Sequence, residues 1–289
     1  MHWIDTHCHL DAPEFSAVML DAKAQVATNN IVHCVLPAVQ VGTFQALRTL
    51  AHAGGHAYCL GIHPLYVARS DADALDQLAA ALAQHRSDPR LVAVGEIGLD
   101  YFVPTLCQSP WRERQQQFYL AQLKLARQFD LPVVLHSRRA VEPVLQGLRS
   151  LAGPGRPWQG IAHAFNGSVS HAHALAALGL KLGFGGALTF ERALHLRRLA
   201  ASLPLTDMVL ETDAPDMPPR WLYRTAAQRA NGEPQGINTP AELPRIGAEL
   251  ASLRAIGVEQ LAAATVHNAL QALPRLRALP QWSKLSSDC

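Results

Sequence analysis

Short runs of apolar, β-branched residues alternate along this chain with longer stretches in which alanine and leucine recur every three or four positions. The short runs predict strands near residues 3–8, 31–37, 57–62, 91–95, 132–136, 160–163, 181–185 and 208–212. Helical spacing is plainest at 73–85, 112–129, 169–178 and 192–202. Strand–helix alternation builds parallel βαβ units, and eight of them can close into a barrel. An open doubly wound sheet would carry a glycine-rich phosphate loop after an early strand, and neither GxGxxG nor GxxxxGKS/T stands at such a place. The expected fold is therefore α/β, a single-domain (β/α)8 TIM-like barrel over residues 1–278 with a frayed tail over 279–289. Residues 216–238 break both periodicities with Pro218, Pro219, Gly232, Pro234 and Gly236, which predicts a long functional loop after the eighth strand.

Composition sharpens this reading only slightly. Of 289 residues, 49% are hydrophobic and 17% charged, which suits a large buried core and excludes a disordered chain. The formal charge of +2 advertises no nucleic-acid-binding bulk, so attraction of an anionic substrate must be local. Aromatic residues are 6% of the chain, and no aromatic–basic stripe predicts a stacking platform. Five cysteines, Cys8, Cys34, Cys59, Cys107 and Cys289, form no CxxC pair and predict free thiols in a reducing cytoplasm. The opening MHWIDTHCHL has no basic stretch before an apolar one, and no apolar run is long enough to span a bilayer. A secretory leader, a membrane span and an organic cofactor are not expected; the oligomeric state is open.

The chemistry begins at His7-Cys8-His9. On a strand, i and i+2 share a face, so the two imidazoles converge while Cys8 turns away, and Asp5 lies on the same face as a supporting group. Alone, this short pattern is as well explained by two hydrogen-bonded histidines at a strand end. Glu96, His136, His163 and Asp213 each stand at the C-terminal end of a predicted strand, where barrel enzymes assemble their sites. That repetition favours a metal centre made of His7, His9, Glu96, His136, His163 and Asp213. Four nitrogens and two carboxylates exceed the needs of one four-coordinate ion, so two divalent ions (Mg²⁺, Mn²⁺ or Zn²⁺) are expected, with Glu96 between them. Such a pair activates water for hydrolysis, and Asp213 and Glu96 are the expected catalytic carboxylates.

Other residues are expected in lesser roles. His63 in GIHPLY and Arg138, two residues past His136, are candidates for substrate contact, each balanced against a structural or solvated role. Glu211 is the expected supporting partner of the metal ligands. Asn166 and Ser168 read as helix caps. His171 and His173 do not share a helical face, and no role is expected for His2, His33, His52, His56 and His85.

Taken in order across almost the whole chain, IDTHCHLD, GIHP, VGEIGLDYF, QQFYLAQLKLARQFDLPVVLHSR, HAFNG and LETDAPDMPP resemble the TatD family of metal-dependent deoxyribonucleases. The text LETDAPDMP is similar to its YjjV-like branch, while Ile237-Asn238-Thr239-Pro240 departs from the Asn-Glu-Pro stretch of many members. The resemblance implies a TIM-like barrel of the metal-dependent hydrolase superfamily, with the same six residues as ligands. It implies a Mg²⁺- or Mn²⁺-supported nuclease, often a 3′ to 5′ exonuclease, acting on single-stranded DNA or a strand end. A second substrate class is also implied, the ester of a D-aminoacyl-tRNA.

Overall fold

The computed structural model describes residues 1–15 and 29–280. Its strands are β1 (Trp3–Asp5), β2 (Ile31–Pro37), β3 (Ala57–Leu60), β4 (Leu91–Asp100), β5 (Val133–Arg138), β6 (Gly160–Ala162), β7 (Leu180–Phe184) and β8 (Met208–Leu210). They lie side by side in chain order, every neighbouring pair parallel. The two outer strands then meet at one end. Thr6 donates to the Leu210 carbonyl through its backbone N–H (3.1 Å) and its hydroxyl (2.9 Å), and the Asp213 and His9 N–H groups donate to the carbonyls of His7 (2.9 Å) and Ala214 (2.7 Å). The result is the nearly closed (β/α)8 barrel that the alternation predicts, in a single domain.

The helices that cover it are α1 (Phe44–Gly54), α2 (Ala74–His85), α3 (Trp111–Phe129), α4 (Val141–Ser150), α5 (Val169–Ala177), α6 (Leu194–Ser202), α7 (Ala226–Ala230), α8 (Leu243–Arg254) and α9 (Val258–Ala272). Their starts and stops follow local chemistry. Ser168 caps α5, its hydroxyl accepting from the His171 N–H while the His171 ring accepts from the Ser168 N–H. Gly55 ends α1 at φ 72°, a conformation that costs glycine little. No helix of the described residues is long and apolar enough to cross a membrane.

Alternation along the strands separates two cores. One face of the sheet contributes Trp3, Leu36, Tyr58, Leu91, Leu135, Leu182 and Leu210 to the cluster shared with the surrounding helices. The other contributes Ile4, Val35, Val92, Val134, Ile161 and Val209 to a second cluster, where they meet Ala269, Leu270, Leu273, Leu276 and Leu279. The chain beyond α9 therefore plugs the barrel. Leu279, expected in a frayed tail, is fully buried in that plug because an apolar side chain there covers strand residues; residues 281–289 of the expected tail lie outside the described ones.

Two boundaries matter for the site. β1 ends at Asp5, so His7 and His9 stand on an extension held by the Cys8 N–H to Val35 carbonyl bond (3.2 Å) and by the seam with the β8 end. β4 runs five residues past its expected end at residue 95, to Asp100, with its register against β5 shifting between Val94 and Ile97. Gly98 permits this run: its φ is 145°, and a Cβ there would lie 2.0 Å from the His136 carbonyl oxygen.

Candidate metal centre

Seven side chains meet at the mouth formed by the C-terminal strand ends. Nε2 of His7 lies 3.2 Å from Nε2 of His9, 3.3 Å from Glu96 Oε2 and 3.6 Å from Asp213 Oδ1. Nε2 of His163 lies 3.8 Å from Asp213 Oδ1 and 3.9 Å from Glu96 Oε1, and the His7 and His163 rings stack at 3.6 Å. Nδ1 of His136 and Nε2 of His63 approach Glu96 Oε1 at 3.0 and 3.4 Å. All six expected ligands are thus brought together, and His63, expected only as a substrate contact, joins them. His7 and Glu96 are buried, while the side chains of His9 (19%), His136 (16%) and Asp213 (14%) keep some exposure. The cluster opens to solvent on that side.

The partners of each ring fix which nitrogen carries a proton. Glu211 Oε1 sits 3.1 Å from His163 Nδ1, so in the neutral ring, the form that can bind an ion, the proton stays on Nδ1 and the lone pair of Nε2 faces the centre. His136 meets Asp100 Oδ2 through Nε2 at 3.1 Å and Glu96 Oε1 through Nδ1 at 3.0 Å, so a neutral ring that gives its proton to Asp100 keeps the Nδ1 lone pair on the side of Glu96. His9 bonds the Pro37 backbone, whose only polar group is a carbonyl, and keeps Nε2 for the centre. His63 is the exception. Its Nδ1 accepts the Leu65 N–H at 3.2 Å, so the neutral ring carries its proton on Nε2 and presents an N–H rather than a lone pair.

Burial and crowding set the charges. Burial pushes Asp213 up to about 8, with Glu96 and Glu211 adding to it against His163. Burial opposes ionisation of Glu96 too, but His63 and His7 hold it well below the usual carboxylate range. Burial lowers His7 far below its ordinary value and takes His9 down to about 4. His163 goes the other way: burial disfavours its charge, yet Glu211 and Asp213 outweigh that and raise it to about 10. Carboxylates packed this closely need positive charge nearby, and the free imidazole lone pairs suit borderline divalent ions. Three overlapping sets among the described residues fit such an ion, His7–His9–Asp213, His7–Glu96–His163 and His63–Glu96–His136, each with its donor atoms within 4.8 Å. The tautomer of His63 speaks against the third set and leaves Glu96 and His136 as its donors.

Neighbouring residues hold this arrangement. Asp5, expected on the histidine face, instead stitches β1 to the β8 end: its carboxylate accepts from the Thr212 N–H (3.0 Å) and hydroxyl (2.5 Å) and from the His7 N–H (3.2 Å). Asp213 leaves the strand at φ 56° and so does not share a strand face with Glu211, which reaches His163 and the Ala164 N–H. Asp100, Gln115, Gln122 and Asn238 were not legible as site residues. Gln115 accepts the Asp100 N–H at 2.9 Å, and Gln122 brackets Ile62, next to His63, through both its N–H (2.7 Å) and its carbonyl (3.1 Å). Asn238 donates to the carbonyls of Thr212 (2.8 Å) and Asp216 (2.6 Å), closing the long loop at its base. The one signal for Asp100 was its place four residues past Glu96 in VGEIGLD.

Arg138 is exposed at the rim, its guanidinium 3.5 Å above the Phe102 ring, with Arg139 at 4.8 Å from the same ring. This small aromatic–basic pairing forms because the β4 and β5 ends bring together residues 36 positions apart in sequence.

Comparison with known proteins agrees with this geometry. The family model described as TatD related DNase matches residues 4–274. The chain is 37% identical over 267 residues to the uncharacterized metal-dependent hydrolase YjjV of Escherichia coli K12, covering 92% of this chain and 95% of that one. It is 30% identical over 291 residues to human deoxyribonuclease TATDN3, covering 96% and 97% of the two. The crystal structure of YjjV superposes with a TM-score of 0.82 at 36% identity, over 94% of this chain and 98% of that one. With the family model matched across nearly its whole length and the same barrel in its relative, the chain belongs to the TatD family.

Proposed function

We propose that this protein is a metal-dependent hydrolase that cleaves phosphodiester bonds in DNA, taking a single strand or strand end at the barrel mouth and degrading it from 3′ to 5′. The observation that carries the reading is the convergence of His7, His9, His136 and His163 with Glu96 and Asp213 at one mouth. His7, His9 and Asp213 would hold one divalent ion (Mg²⁺, Mn²⁺ or Zn²⁺), His136 and His163 would serve a second, and Glu96 would lie between them. Bound there, such ions polarise a phosphoryl oxygen and acidify a water near neutral pH.

The chain's own groups do the rest. Asp213, whose Oδ1 lies between 3.6 and 3.8 Å from Nε2 of His7, His9 and His163, takes the proton of the attacking water. His63 offers its Nε2–H to a phosphate oxygen, and the bond from Leu65 keeps that proton on Nε2. Glu211 and Asp100 hold the His163 and His136 rings in place. Arg138, exposed beside Phe102, meets the next phosphate. The family description and the deoxyribonuclease name of the human relative support a DNA substrate.

The test strips the protein with chelator, reloads it with Mg²⁺, Mn²⁺ or Zn²⁺, and assays end-labelled oligonucleotides alongside a D-aminoacyl-tRNA. Metal-restored shortening from the 3′ end is expected, falling at least a hundredfold in Asp213→Ala and His136→Ala. Cleavage of the tRNA ester alone would overturn the phosphodiester reading.

A further inference from the structure

Beside the metal centre lies a second feature that the proposed chemistry does not use. The chain beyond Asp213 runs through Pro215, Asp216, Met217 and Pro218, and these residues form one side of a cavity of about 810 Å³. Phe190 and Tyr223 stand on its wall as an edge-to-face pair, with ring centres 5.6 Å apart at 82°. Ile237 joins them from the far end of the long loop. Met217, Tyr223 and Ile237 are all more than a third exposed, although apolar side chains of that size are rarely left open together without a use.

The walls are held from behind, so the cavity is preformed. Gly236 donates to the Leu222 carbonyl (3.3 Å), the Arg224 N–H to Gln235 (3.0 Å) and the Trp221 indole to Glu242 (2.7 Å), while Arg220 is tied back to Thr189 (2.9 Å). Its charges are divided. Arg192, with its guanidinium 5.6 Å from the Phe190 ring, and Arg229 bring two exposed cations to the lining, against the carboxylates of Asp216 and Glu14. A flat ring with N–H groups on its edge and phosphates on either side meets every part of that lining: aromatic faces, carboxylate acceptors and guanidinium donors.

We propose that this cavity is the base-binding subsite for the nucleotide adjoining the scissile phosphate, a reading that rests on the phosphodiesterase assignment above. The purine or pyrimidine packs against Phe190 and Tyr223, and Arg192 and Arg229 take the neighbouring phosphate. Pro215 and Asp216, on the cavity wall, follow Asp213 by two and three residues, so the chain leads directly from the metal centre to the cavity.

The test compares single-stranded oligonucleotides that differ only in the terminal unit, a normal nucleotide or an abasic tetrahydrofuran residue, with Mn²⁺-loaded protein. Stacking of one base is worth roughly 1–3 kcal/mol, so loss of the base should raise KM about 5- to 160-fold, with a much smaller change in kcat. Tyr223→Ala should bring that ratio close to one, and Tyr223→Phe should restore it. Ile237→Trp, which fills the cavity from an exposed position, should raise KM for the normal oligonucleotide toward the abasic value. Equal KM for the two oligonucleotides, or undiminished discrimination in Tyr223→Ala, overturns the subsite while leaving the nuclease reading intact. No cleavage of any oligonucleotide overturns both.

Discussion

Replacing Gly183 with alanine should weaken binding of divalent ions about 10- to 100-fold, the usual effect of disturbing a group that supports a metal ligand. Gly183 lies in β7 beneath the carboxylate of Glu211, and a Cβ there would fall 2.2 Å from Glu211 Oε2 and 2.6 Å from Oε1. Ordinary contact begins near 3.4 Å, so the carboxylate must retreat by about 1.2 Å. Its bonds have little slack, since Oε1 lies 3.1 Å from His163 Nδ1 and 2.5 Å from the Ala164 nitrogen. A retreat of that size carries the first beyond hydrogen-bonding range. His163 then loses the acceptor that keeps its proton on Nδ1 and its lone pair on Nε2. The expected loss corresponds to roughly 1.4–2.7 kcal/mol of binding free energy.

Titration calorimetry of chelator-stripped protein with Mn²⁺ and with Zn²⁺ reads this directly. Glu211→Gln belongs beside it, because the amide keeps the shape and removes the charge; it should weaken binding comparably. Circular dichroism establishes that both variants keep the barrel. Affinity within threefold of the parent, in a crystal where Glu211 has moved, would refute the link from Glu211 through His163 to the metal. An unmoved Glu211 would refute the steric argument instead.

Two further predictions concern stability. Asn238→Ala removes the donor to two carbonyls at the base of the long loop, and Asn238 is fully buried. Leaving buried acceptors unpaired should cost about 2–4 kcal/mol in equilibrium urea unfolding, and a loss under 0.5 kcal/mol would show that the loop is not pinned there. His33, buried in β2, is lowered to about 4 by burial, against a bond to the Gly55 backbone and with Arg90 adding. Above its ordinary value of 6.5 neither folded nor unfolded chain is protonated at this position; between 6.5 and 4 only the unfolded chain takes the proton. Stability should therefore fall with acidification across that window, by roughly 3 kcal/mol in total from this group. His33→Leu should flatten that part of the pH profile, and identical slopes for both proteins would remove His33 from the account.

The barrel and the six expected ligands could be read along the chain because they follow periodicity. An apolar run announces a strand, and a polar, metal-competent residue at its end stands where the barrel opens, as with His136, His163 and Asp213. The residues that set proton positions obey no such rule. Asp100 carried no such mark, because the predicted strand stops at residue 95; the register shift and the φ of 145° at Gly98 carry the strand on and turn Asp100 under His136. The tautomer of His63 depends on a backbone N–H two residues later, available only because Pro64 opens a 3₁₀ turn. Phe102 and Arg138 meet only where the ends of β4 and β5 are paired.

These unread contacts share a physical character: each is a single directional bond or a close approach, made across elements, with no repeat to give it away. They also decide the chemistry more finely than the ligands do. Four histidines and two carboxylates would bind an ion in many arrangements, but Glu211 and Asp100 determine which nitrogens are free to do so, and the Leu65 N–H turns His63 from a ligand into a donor. A variant that leaves all six ligands untouched and moves one of these partners should therefore change which metal the centre prefers before it abolishes binding, since a misoriented imidazole penalises ions with strict geometry most.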